Sequence, residues 1–86
     1  MSRAEDFPTE LELKILRFFY EHPEAIETIR GMAVWLGGKS ESLEGALQGL
    51  VHRKWISVHQ STALTGYGLT RDDRFLEQVR EALDIP

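Results

Sequence analysis

Residues 40–70 set the tightest limits on what this chain can become. Ser40-Glu-Ser-Leu-Glu-Gly-Ala-Leu-Gln-Gly-Leu-Val-His-Arg-Lys54 places Leu43, Ala46, Leu47, Leu50 and Val51 on one stripe at helical spacing. The next residues, Trp55-Ile-Ser-Val-His59, alternate instead and put Ile56 and Val58 on one face of a strand. A polar turn over 60–66 follows, and Tyr67-Gly-Leu-Thr70 reads as the returning strand, with Tyr67 and Leu69 on one side. A helix that runs straight into a hairpin must bury its stripe beside one face of that hairpin. The remaining residues have to supply the other walls of the core.

Upstream, Thr9-Glu-Leu-Glu12 reads as a capping box, in which the Thr9 hydroxyl serves one orphan amide and Glu12 reaches back. Leu11, Ile15, Phe18 and Phe19 then form a stripe, with Leu13, Leu16 and Tyr20 on or beyond its edge. An arc that wide predicts packing against two neighbours. His22-Pro23 ends the helix, because the residue before proline avoids the helical region. A second helix is expected to start between Glu24 and Thr28 and to end at Gly37-Gly38, with Ile29, Met32, Ala33 and Leu36 inward. Ser40 or Ser42 is the expected cap of the third helix. Thr70-Arg-Asp-Asp73 repeats the capping pattern and predicts a closing helix with Phe75, Leu76, Val79, Ala82 and Leu83 on one stripe. That stripe needs a surface, and Leu13, Leu16 and Tyr20 offer one, either within the chain or across a dimer.

Eighty-six residues suffice for one modest core, so the expected layout is a flexible N-terminus over 1–8 and one domain over 9–86. An apolar fraction of 42% beside 28% charged residues fits a soluble globular domain. With no cysteine there is neither a disulfide framework nor thiolate zinc ligation. No apolar run approaches the roughly 18 residues of a membrane span, and the first residues lack a signal-peptide core. The expected location is the cytoplasm. Ten Lys and Arg against fourteen Asp and Glu leave a net charge of −4. That balance works against nucleic-acid affinity unless the cations gather on one face.

The order helix, helix, turn, helix, hairpin, helix resembles the winged helix-turn-helix superfamily of small prokaryotic transcriptional regulators. The carriers are Met32-Ala33-x-x-Leu36-Gly37, the Leu43/Leu47/Leu50-Val51 stripe leading to Trp55-Ile56, and Tyr67-x-Leu69-Thr70, so the resemblance covers Thr9 to Leu83. It implies a mainly α fold with a small β-hairpin: a three-helix core, a two-stranded wing and a C-terminal helix. It also implies double-stranded DNA as partner, with helix 40–54 in the major groove and the wing on the backbone or minor groove. On that reading Ser42 and Gln48 meet base edges, with His52 on the same DNA-binding surface, while Lys39, Arg53 and Lys54, with Arg30, meet phosphates. A homodimer through the C-terminal helix would cover two half-sites.

Two departures bear on this. Lys54 stands where many relatives carry glycine, and 59–66 contains no Lys or Arg to grip a phosphate. Glu41 and Glu44 suit the positive end of a helix but repel DNA. The competing expectation is a winged-helix protein-protein interaction module that binds no nucleic acid. Gly45 and Gly49 feed that alternative. Each costs about 1 kcal/mol in a helix, and the pair marks either a close approach by a partner or tolerant exposed positions. Trp35 is either a protein anchor or packs beside Ala25-Ile26, whereas Trp55 is expected in the core.

Other chemistry finds little support. Residues 33–40 match a relaxed phosphate-loop pattern, but helix precedes them instead of a buried strand, so no nucleotide cofactor is expected. His22, His52 and His59 fall on separate elements without a carboxylate at ligand spacing, so no metal is expected. No serine has a base or a shielding pocket, and an enzyme is not expected.

Overall fold

In the computed structural model, which describes residues 8–85, α1 (Glu10–Glu21) starts on the expected capping box. The Glu12 amide donates to the Thr9 hydroxyl at 3.1 Å, and the Thr9 amide donates to Glu12 Oε1 at 2.9 Å. Ile15, Leu16 and Phe19 are fully buried, while Leu11 and Phe18 on one flank and Leu13 and Tyr20 on the other are partly buried. Leu16 thus belongs to the centre of the core and not to the edge of the stripe. Residues 1–7, most of the expected flexible N-terminus, and Pro86 lie outside the described residues.

The second helix starts at the late end of its expected range. α2 (Ile29–Leu36) begins only after Thr28, whose hydroxyl accepts the Gly31 amide at 3.0 Å. Before it the chain is extended, and Glu27 exchanges both backbone hydrogen bonds with Tyr67, at 2.9 and 2.8 Å. Helix over 24–28 would leave that strand edge unpaired, and the sheet bonds prevail over the helical pattern. Gly37 and Gly38 then take φ of 77° and 95°, a turn that only glycine makes without strain. It delivers Lys39 in extended conformation as the N-cap of α3 (Ser40–His52). Neither Ser40 nor Ser42 is the cap, because the glycine turn has already brought Ser40 into the helix, and Lys39 supplies no side-chain cap bond.

α3 stops at His52, two residues earlier than the apolar pattern suggests. Lys54 adopts φ of 68°; its amide donates to the Val51 carbonyl at 2.9 Å and that of Trp55 to Leu50 at 3.1 Å. This is the six-to-one and five-to-two closure of a Schellman end, with lysine where glycine is favoured. β1 (Ile56–Gln60) and β2 (Thr65–Leu69) pair antiparallel, Ile56 opposite Leu69 and Gln60 opposite Thr65. Gln60 and Gly66 are therefore ladder residues, and the tip shrinks to 61–64, closed by the Ser61 amide on the Leu64 carbonyl at 2.9 Å.

α4 (Asp73–Ala82) is capped by Asp72, whose carboxylate accepts the Arg74 amide at 2.9 Å. Thr70 is not its cap, because the Thr70 amide still donates to the Trp55 carbonyl at the foot of the ribbon. The Arg74 guanidinium, bonded to Asp72 at 3.0 Å, holds that carboxyl below the usual carboxylate range. Val79 and Leu83 are buried, and Phe75, Leu76 and Ala82 pack partly buried against the same core. Met32, Leu43, Leu47, Leu50, Ile56 and Leu69 complete it. So does Trp55, whose indole N–H donates to Gln78 Oε1 at 2.8 Å. The described residues make a mainly α fold, four helices with a two-stranded antiparallel sheet. The α4 stripe is covered by its own chain, so the seam expected for a dimer through the C-terminal helix is not free.

Candidate nucleic-acid interface

The outward face of α3 is bare. Glu41, Gly45, Gln48 and His52 are exposed along it, joined by Ser42 and Glu44 on its flanks. Gln48 and His52 are one turn apart and adjoin. Ser42 does not join them: six residues before Gln48, it sits roughly 120° away around the helix, on the flank that carries Gly49.

The candidate cations are not one strip. Lys39 and Lys54 are exposed at opposite ends of α3, about 20 Å apart for a helix of this length. Arg30 is exposed on α2. Arg53 is half-buried, with its guanidinium 5.2 Å from the Trp55 ring centroid, a cation–π contact that fixes its position. Between these groups, Glu41 and Glu44 make the first half of α3 acidic, while His52, Arg53 and Lys54 make its end basic. The polarity complements the helix dipole.

The two helical glycines have separate explanations. A Cβ on Gly45 would meet nothing within 4 Å, so Gly45 is an open surface position. Gly49 is not on the exposed side. A Cβ there would come within 2.5 Å of Glu12 Oε2, the carboxylate that closes the α1 capping box. Gly49 lets α3 approach that carboxylate. Gly45→Ala is therefore expected to stabilise the fold by about 1 kcal/mol. In Gly49→Ala the same propensity gain is offset by a displaced cap worth about 1 kcal/mol. Urea denaturation of both variants checks the contrast, and equal gains would show that Glu12 moves aside at no cost.

Trp35 does not pack beside Ala25-Ile26. It is 67% exposed and its neighbour Val34 80%. The Trp35 ring lies 6.0 Å from that of Phe18, which stacks on His22 at 4.8 Å. Sequence reasoning missed this aromatic row; the one-turn spacing of Phe18 and His22 was its only signal. The tip 61–64 has no cation and carries Leu64 at 64% exposure. Leu64 borders an apolar hollow of about 310 Å³ lined by Ile26, His59 and Gly66. Ile26 lies across the ladder glycines, with its methyls 2.6 and 2.7 Å from where a Cβ on Gly66 or Gly68 would sit.

His22, His52 and His59 stand on α1's end, α3 and β1, and the described residues hold no group of three His, Cys, Asp or Glu able to bind a metal. No helix among them is long and apolar enough to cross a membrane. No protein-family model matches the chain, and no curated protein matches it.

Proposed function

We propose that the chain is a winged helix-turn-helix domain that binds duplex DNA through α3 and serves in transcriptional control. The observation that carries this reading is the uncovered outer face of α3 beside the ribbon, with Gln48 and His52 in solvent and a lysine at each end. A helix about 20 Å long crosses a major groove about 12 Å wide. The separation of Lys39 and Lys54 then becomes an asset, since each reaches a different phosphate strand. The Gln48 amide, donor and acceptor together, matches an adenine edge, and His52 lies beside it. Ser42, on the flank, meets sugar or phosphate, as does Arg30. Arg53, stacked on Trp55 at the end of α3, places its positive charge beside Lys54. The role is binding without catalysis or cofactor, exercised in the cytoplasm.

The test is duplex affinity measured against salt. Wild-type protein is expected to bind at low ionic strength, with affinity falling steeply as salt rises. Lys39→Glu weakens binding and flattens the salt slope. Lys54→Gly separates function from folding: it relieves the left-handed lysine, raising stability by about 1 kcal/mol, yet removes a phosphate contact and lowers affinity. Wild-type protein with no duplex affinity at about 20 to 50 mM salt, where the Debye length is roughly 14 to 21 Å, would refute the DNA reading.

A second reading is favoured by Trp35 and Val34. Two large apolar side chains exposed side by side are an unusual surface for a chain with no use for them. Under this reading the winged-helix framework presents them to a protein partner, Gly45 lies on open surface, Gly49 takes no part, and duplex affinity is absent.

A further inference from the structure

Among the described residues the hairpin has one edge covered and one open. Glu27 takes the outer side of β2. None of those residues adds a strand beyond β1, since the sheet they form has two strands in the order β1, β2. The pairing identifies which backbone groups are left over. The Thr70 amide donates to the Trp55 carbonyl, so in this register the hydrogen-bonded pairs are Ser57 with Gly68 and His59 with Gly66. Tyr67 confirms the parity, because its amide and carbonyl both turn to Glu27. Ile56, Val58 and Gln60 therefore aim their amides and carbonyls away from β2, in line along the free edge.

We propose that this edge pairs antiparallel with β1 of a second copy, across a two-fold axis at Val58, so that the two hairpins join into one sheet. The exposed groups specify an extended segment, and three features make the second copy the occupant. First, the strand reads Ile-Ser-Val-His-Gln and contains no Lys, Arg, Asp, Glu or Pro, the residues by which exposed edges ordinarily prevent self-pairing. Second, the register is self-matching. Val58 meets Val58 of the second copy and Ile56 meets Gln60 on one face, while Ser57 meets His59 on the other, so an apolar pair sits at the axis, hydroxyl faces imidazole and no like charges oppose. Third, Val58 is 44% exposed at the rim of an open groove of about 460 Å³, where Val51, Ile56 and Phe75 offer the incoming strand an apolar floor between the polar side chains of Lys54, Thr70 and Asp72. The arrangement adds roughly six backbone hydrogen bonds. The α4 stripe is already packed, and this edge offers two copies a place to join. The inference stands apart from the DNA reading and does not need it.

Sedimentation equilibrium over a wide concentration range, with amide exchange followed by NMR, tests the pairing on the full chain. Wild-type protein forms a dimer as concentration rises, and the Val58 and Gln60 amides slow by about tenfold or more as it fills. The Gly68 amide, bonded within each hairpin, is already protected at low concentration. Val58→Lys sets two ammonium groups against each other at the axis and raises the dimer dissociation constant by about tenfold or more, with an unchanged far-ultraviolet spectrum. A chain that stays monomeric at millimolar concentration overturns the pairing. So does a dimer whose Val58 amide exchanges as fast as in the monomer, or one that Val58→Lys leaves intact, either of which points to the Trp35 surface instead.

Discussion

Phe19→Ala lowers the free energy of unfolding by about 3 to 5 kcal/mol, the largest stability effect expected of any single substitution here. Phe19 is fully enclosed and lies 5.2 Å, edge to face, from Phe18. Truncation removes the ring's transfer free energy and leaves a void bounded by helices that cannot all close on it. Small domains have about 5 to 15 kcal/mol in total, so the variant loses roughly a fifth of its stability or more. Its melting midpoint falls by roughly 15 to 30 °C. Circular dichroism during thermal and urea melts provides the measurement. A loss under 1 kcal/mol would mean that Phe19 is not enclosed as described.

The double variant Glu41→Lys, Glu44→Lys gains duplex affinity by roughly ten- to a hundredfold at low salt, with a steeper salt dependence. Both carboxylates are exposed on the first half of α3, where the proposed pose brings the helix close to phosphates. Each reversal turns a repulsion into a counterion-releasing contact. The opposing term is the loss of favourable carboxylates near the helix N-terminus, a few tenths of a kcal/mol each, and it acts on stability. Affinity from fluorescence anisotropy, set beside a urea melt, separates the two. An unchanged affinity would place the start of α3 away from the backbone and remove the major-groove pose.

Local chemistry that depends on a few neighbouring residues could be read from the chain alone. The Thr9–Glu12 box, the Gly37-Gly38 break, the buried Trp55 and the hairpin's core face all follow from short-range rules. What could not be read depends on partners distant in sequence. Glu27 leaves the helical pattern because Tyr67 has a free edge, and Thr70 stays in the ribbon because Trp55 still accepts its amide. Gly49 looks like an exposed helix position until Glu12 arrives from another helix. The candidate site divides along the same line. Exposure of Gln48 and His52 was apparent from helical phase. The stacking of Arg53 on Trp55 and the solvent-facing Trp35 depend on how elements pack, which no periodicity encodes.

The clasp between Glu27 and Tyr67 has a mechanical corollary. Glu27 immediately precedes Thr28, the cap of α2, so no slack separates the middle of the ribbon from the first turn of that helix. A force applied at the 61–64 tip travels down β2 and arrives at the helix bearing Val34 and Trp35 within two residues. Whatever grips the ribbon tugs on the tryptophan's foundation.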